Sequence, residues 1–365
     1  MITVNIILFI GIFLIISVFF VQDKSNFKLS TVLLILVSLL ISFIVGQRSI
    51  EENFMVQNDT SVYNDYINCL RDYEDNECRN KVIQLPPNEL LFTYVSKVGI
   101  WIGFNNAMIF FAITFILLSC YINFIKPLGN LMLPTFGLIL TTPIFWELSS
   151  NILRNSLSIS FFFLLLTVLF KDNQGSYKKI ALYFGGLLSH TSFFIYSPIF
   201  LLYKQVSVKL LFILFIFGLL FSSSFTVIIL TLSNYLSNDL VILNKIIYYI
   251  NNSSGIGFKN YMYVIGNMNI LIIFYLYFAS LSIKDNWYLS TLKVLLLLLI
   301  LGSFAGNTNF VYRIINVYEL LLIPLLLFTI KKRTLYSGYV ILIYALYKLY
   351  MFDYFYPNYT RFFNF

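Results

Sequence analysis

Two arginines and one histidine are the residues of this chain best suited to chemistry. Arg154 follows Ser149-Ser150-Asn151 and opens an apolar run at 153–170, and Arg313 opens another at 313–330. A guanidinium is charged at every working pH, and its planar fork matches two phosphate oxygens. Two of them at one membrane face suit a diphosphate held at headgroup depth. Snorkelling of an arginine at a helix end is the plain alternative. Polar neighbours favour function: Asn151 and Asn155 beside one, Asn307, Asn309 and Asn316 near the other. His190 is the only histidine and lies in Ser189-His190-Thr191-Ser192 inside an apolar run. Such a group, titrating near neutrality, either deprotonates or holds an attacking hydroxyl, or is a hydrogen-bonded structural residue at a helix break.

Carboxylates supply a second set of candidates. Glu89 follows Pro86-Pro87 and starts the amphipathic run NELLFTYVSKVG. It is either a first-turn residue favoured by the helix dipole or a partner for sugar hydroxyls. Asp65-Tyr66 and Asp72-Tyr73 pair a carboxylate with a ring, which suits the polar edges and apolar faces of carbohydrate; acidic loop residues that are merely solvated look the same. Glu147 and Glu319 lie near outer span ends and could neutralise an arginine. Glu319 follows Arg313 by six residues, so the two do not share a helix face. The chain has no CxxC and no His-rich spacing, so no metal site is expected. Cys120 sits in an apolar span. Cys69 and Cys78 share a polar loop and can pair if it faces an oxidising compartment.

The elements that position these residues are membrane helices. Apolar residues make up 59% of the 365 and charged residues 11%, against about 25% charged in ordinary globular domains. No soluble fold hides that much apolar surface. A crossing takes about 20 apolar residues, and spans are expected at 2–21, 27–46, 101–125, 131–148, 153–170, 210–232, 261–283, 293–308, 313–330 and 334–352. The expected fold is an all-α, polytopic bundle of about ten to twelve segments, one integral membrane domain over 1–365. Residues 1–21 lack a positive n-region and a small-residue cleavage site, which reads as a retained span.

Charge sets the orientation. Loops holding Lys24, Lys126, Lys171, Lys204, Lys284 and Lys331 to Arg333 carry thirteen basic and three acidic residues. By the positive-inside rule that side is cytoplasmic. Both termini, Arg154 and Arg313 then lie outside. The outer loops are 47–100, which is acidic, and 233–260, where Leu236, Leu240, Leu243, Ile247 and Ile250 suggest a surface helix. The run 180–203 has lysines at both ends, and Gly185-Gly186 and the His190 segment near its middle. It is either a broken hairpin, tolerated where protein or water satisfies the backbone, or one ordinary span. The net charge of +8 is scattered among apolar runs, which argues against nucleic acid as a partner.

From about residue 60 to 325 the chain resembles the Wzy/EpsG-type polysaccharide polymerases of bacterial surface-glycan pathways. The motifs are VYNDYINCL with Asp65-Tyr66, NELLFTYVSKVGIWIG with Glu89, NILRNSLSIS with Arg154, GGLLSHTSFFIYSPIFLL with His190, and YRIINVYELLLIPLL with Arg313 and Tyr318. The family often has Gln and Ala after its arginine, where this chain has Asn155 and Ser158. The resemblance implies an enzyme at the outer face of the bacterial inner (cytoplasmic) membrane. It would join undecaprenyl-diphosphate-linked oligosaccharides into O-antigen, capsule or exopolysaccharide, with no nucleotide sugar and no cofactor. His190, Arg154 and Arg313 would be catalytic, and Asp65, Tyr66, Glu89 and Tyr318 would bind glycan. Membrane lipid, a chain-length regulator and a flippase would be its partners. A lipid-linked glycan flippase or a glycan ligase is the rival reading. Clustering of the candidate charges on one side favours an enzyme over a transporter.

Overall fold

A computed structural model describes residues 27–47, 59–73, 77–78, 90–146, 148–149, 152–171, 175–235, 265–304, 314, 317–332 and 337–355. Among them all regular structure is helical. In order come α1 (Phe27–Gly46), α2 (Asp59–Asp72), α3 (Leu90–Ile102), α4 (Asn106–Ile125), α5 (Met132–Ile139), α6 (Leu153–Leu169) and α7 (Ser176–Ser189). Then follow α8 (Ser197–Leu202), α9 (Val208–Tyr235), α10 (Asn267–Ser280), α11 (Asn286–Phe304), α12 (Tyr318–Lys331) and α13 (Ser337–Phe355). The chain divides into two compact units, 1–194 with 342–365, and 195–341. In the first, α4 packs between α1 and α6, and α7 lies on α6. In the second, α11 packs on α9 and α12, and α10 lies beside α11 and α12.

The helices have the burial pattern expected of lipid as solvent. On α1 the serines Ser30, Ser38 and Ser42 are buried, whereas Val32, Leu36, Leu40 and Phe43 are exposed. A helix in water would reverse this; in a bilayer small polar residues favour helix contacts and apolar ones meet lipid. Among the described residues two stretches, Asn106–Ile139 and Asn286–Phe304, are long and apolar enough to cross a membrane. Nineteen residues of α11 rise about 28 Å, close to the hydrocarbon thickness.

Several expected spans are divided. The run 101–125 starts as a helix at Asn106, and Trp101 and Ile102 belong to the last turn of the separate α3. A 3-10 turn with Gly129 at φ 65 joins α4 to α5, a conformation that glycine adopts without a Cβ penalty. The run 131–148 breaks after Ile139. The helix expected at 293–308 begins seven residues earlier, so Lys293 lies inside α11 and not in a loop. The run 180–203 ends its first helix at Ser189, with His190 extended at φ −157, ψ 128; a 3-10 segment and α8 follow. The spans at 2–21 and the surface helix expected in 233–260 lie outside the described residues.

The irregular backbone between α5 and α6 is satisfied by side chains. Thr141 and Thr142 hydroxyls donate to Leu138 O and Ile139 O at 2.6 and 2.7 Å. Trp146 Nε1 donates to Leu140 O at 2.8 Å, and Thr114 Oγ1 of α4 to Ser149 O at 2.9 Å. Ser156 Oγ donates to Leu148 O. In hydrocarbon an unpaired peptide group costs several kcal/mol, so this polar cluster fixes how α6 begins.

The short helix α2 is tied to the bundle. Asn106 Nδ2 reaches Asn64 Oδ1 and Asn68 Oδ1, both at 2.7 Å, and its Oδ1 accepts from Arg71 at 3.0 Å. Cys69 and Cys78 form a disulfide that closes the end of α2, while Cys120 is free and buried. Denatured without reductant, the chain should take one maleimide-polymer mass step, on Cys120. Prior reduction should give three. Three steps without reductant would refute the bridge.

Candidate functional site

Arg154 sits in the first turn of α6, whose N-cap is Ile152 without a side-chain capping bond. This is the wrong end of a helix for a cation, a cost of about 0.3–1 kcal/mol. Protein contacts hold it there. Arg154 Nε donates to the Tyr63 hydroxyl at 3.2 Å, and the guanidinium lies 5.4 Å over the Tyr63 ring. Tyr63 is itself buried and packs on Phe92 of α3 at 5.1 Å. Three elements, α2, α3 and α6, therefore meet at this half-buried arginine. The first-turn N–H groups of α6 and the guanidinium together make an environment for an anion. One turn further on, Ser158 Oγ is buried with no hydrogen-bond partner.

Tyr66 packs into that platform. It is fully buried, its hydroxyl bonds Thr93 Oγ1 at 2.7 Å, and its ring stacks on Phe92 at 6.1 Å. α2 buries Tyr63, Tyr66, Ile67 and Leu70 as one stripe, so the Tyr66 side chain expected at glycan lies inside the protein. Asp65 points the other way and is exposed.

His190 caps α7, its N–H donating to Gly186 O at 3.1 Å. Its Nδ1 lies 3.1 Å from the Ser192 N–H and 3.0 Å from Ser192 Oγ. A backbone N–H can only donate, so Nδ1 carries the lone pair and the ring proton sits on Nε2. The ring therefore presents a donor through Nε2, and its Nδ1 lone pair is already engaged.

In the second unit, Asn269 Nδ2 lies 2.7 Å from both Ile265 O and the Tyr318 hydroxyl, and 3.0 Å from Glu319 Oε1. The Tyr318 hydroxyl also reaches Ile265 O at 2.8 Å and Glu319 Oε1 at 3.1 Å. Tyr318 and Glu319 are both buried. The Tyr318 hydroxyl, expected at glycan, links α10 to α12. Glu319 stands in the first turn of α12, where the dipole favours a carboxylate.

Arg313, Glu89 and Glu147 lie outside the described residues. Sequence reading passed over Tyr63, Asn269 and Lys348. Lys348 is buried at 5% exposure in α13, its Nζ 5.8 Å from the Tyr344 ring. A lysine inside an apolar run was the available signal. Among the described residues no group of His, Cys, Asp and Glu gathers to hold a metal.

The single histidine makes the tautomer directly measurable. In uniformly 15N-labelled protein the neutral ring should carry its proton on Nε2, with Nδ1 as the bare, hydrogen-bond-accepting nitrogen. A proton on Nδ1 would contradict the Ser192 contact.

A family model, described as the EpsG family, matches residues 50–365. No curated protein and no solved structure matches the chain. The match spans the Arg154 platform, the His190 break and the Tyr318 network. The family is one of Wzy-type polysaccharide polymerases, so membership carries a polysaccharide-polymerase role of glycosyltransferase type and a membrane setting. The chain belongs to the EpsG family.

Proposed function

We propose that the chain polymerises undecaprenyl-diphosphate-linked oligosaccharide units into a surface polysaccharide at the outer face of the cytoplasmic membrane. It does so as one multi-pass membrane domain of about ten to twelve segments. The observation that carries this reading is Arg154, held by Tyr63 in the first turn of α6. A cation kept at a helix N-terminus, against the dipole, is explained by an anion that both would bind.

In the transfer, the bond from the anomeric carbon to the carrier diphosphate breaks and its electrons pass to a diphosphate oxygen. A hydroxyl of the next unit forms the new glycosidic bond, and its proton passes to the departing diphosphate, whose oxygen gains basicity as the old bond breaks. Arg154 and Arg313 stabilise the leaving diphosphate, the role of fixed charges in a water-poor site. His190 orients the acceptor through Nε2–H, since its Nδ1 accepts from Ser192. Asp65, exposed on α2, and Glu89 accept hydrogen bonds from sugar hydroxyls. Tyr66 and Tyr318 act indirectly, by holding α2 and α12 in place.

The test is the surface-glycan ladder of a deletion strain. Deletion should collapse it to a single-repeat band, and the wild-type chain should restore it. Arg154→Ala, Arg313→Ala and His190→Ala should fail to restore long chains at unchanged protein level, each losing about 10²-fold or more in rate. Arg154→Lys should also fall short, because it keeps the charge and loses the fork. Units trapped inside the cell would point to a flippase, and polymer formed but left unattached to a ligase. An unchanged ladder would overturn the reading.

A further inference from the structure

α3 bridges the starting ends of two membrane helices. α4 and α6 run parallel: Thr114 bonds Ser149 O just before α6, Tyr121 meets Phe163 at 4.9 Å, and Phe124 meets Phe170 at 6.3 Å. Their first residues therefore sit at the same membrane face. One end of α3 is fastened beside the start of α6, where Phe92 packs on Tyr63, the residue that holds Arg154. The other end is fastened at the start of α4. There the chain turns at Gly103 with φ 91, a Cβ on Gly99 would lie 2.8 Å from Ile109 Cγ1, and Arg71 donates to Phe104 O at 2.8 Å and to Asn106 Oδ1 at 3.0 Å. A helix that joins two points of one face lies along that face. Its 13 residues rise about 20 Å, short of the about 30 Å of a hydrocarbon core. The two sides of α3 are inverted relative to a helix in water. Phe92, Thr93, Ser96 and Gly99 are buried, with Thr93 paired to the Tyr66 hydroxyl and Ser96 to Phe92 O. Leu90, Tyr94, Val98 and Trp101 fall on one exposed stripe, Tyr94 exposed by 66% and Trp101 by 86%. Lys97 is exposed beside them.

We infer that α3 is an interfacial helix, its apolar stripe embedded in the lipid of the leaflet at that face. Tryptophan and tyrosine are the side chains that concentrate at headgroup level, and a lysine beside them lays its stem on the lipid and keeps its ammonium in water. The stripe continues the apolar exteriors of its neighbours: α7, which packs on α3, exposes Ile180, Phe184 and Leu188, and the first turn of α4 exposes Met108. An apolar stripe on a helix too short to cross is the arrangement of a helix lying at the boundary of headgroups and acyl chains. The embedding also sets a depth. Phe92, on the buried side of α3, carries Tyr63, so the helix holds the Arg154 platform near the level of the headgroups. The exposed stripe has no role in the proposed transfer, and its embedding does not depend on which leaflet it meets, so the two ideas fail separately.

The test uses the full chain in phosphatidylcholine vesicles whose acyl chains carry bromine either near the headgroup or near the terminal methyl. The chain has three tryptophans; Trp146 and Trp287 are buried, so Trp101 is the one open to contact quenching. Its emission should be quenched more by the shallow bromines than by the deep ones and only weakly by aqueous iodide. Trp101→Phe should abolish the difference between the two lipids. In the same vesicles Tyr94→Cys should react slowly with a charged, water-soluble maleimide, and Asp65→Cys, on the exposed side of α2, rapidly. Strong iodide quenching of Trp101 with no response to brominated lipid would overturn the assignment and leave the stripe to water or to a protein partner. Stronger quenching by the deep bromines would overturn it in favour of a helix inserted into the hydrocarbon. Equal labelling rates at positions 94 and 65 would also overturn it.

Discussion

In hydrocarbon no water accepts an unpaired peptide group, and this one constraint organises the chain. Where the helices run unbroken, their own ladders meet it. Where they break, side chains must. The stretch from Leu140 to Ile152 shows the consequence: Thr114, Trp146 and Ser156 each spend a donor on a carbonyl that a continuous helix would have paired. The polar residues of this span are thus scaffold for a break. The break lets α6 start where Tyr63 of α2 can reach it.

The electrostatics of Arg154 follow from that placement. The helix dipole opposes the guanidinium, and the Tyr63 ring offsets the opposition by about 0.5–2 kcal/mol. A half-buried cation stabilised on one side by an aromatic face is preorganised for charge arriving on the other. His190 is preorganised in a similar sense. Its tautomer is set by a backbone N–H two residues away, a contact that exists only because the helix ends at Ser189.

Much of this was legible in the sequence. The apolar runs located helices, Gly185-Gly186 and the polar residues at 189–192 located the break at His190, and the position of Arg154 at the start of its helix was read correctly. The exact divisions were less legible. The 101–125 run hides a boundary because Trp101, Ile102 and Phe104 are as apolar as the helix that follows. The burial of Tyr66 is hard to read because a Tyr beside an Asp in a polar loop looks exposed. Only the 3.6-residue period of α2, which puts Tyr63, Tyr66, Ile67 and Leu70 on one face, shows it buried. Tyr63, on that same face, proved to be the residue that touches Arg154. Asn269 gave no signal of its own, since its partners lie 49 and 50 residues away.

The Cys69–Cys78 bridge gives the outer loop a history as well as a shape. Thiols of the cytoplasm stay reduced, so in the proposed orientation the clip at the end of α2 closes only on chains whose loop has already been exported. The helix it fastens is the one that supplies Tyr63 to Arg154. In that orientation a correctly inserted chain is marked chemically, and the platform for the arginine is completed only after translocation, on the side where the proposed lipid-linked glycans would be waiting.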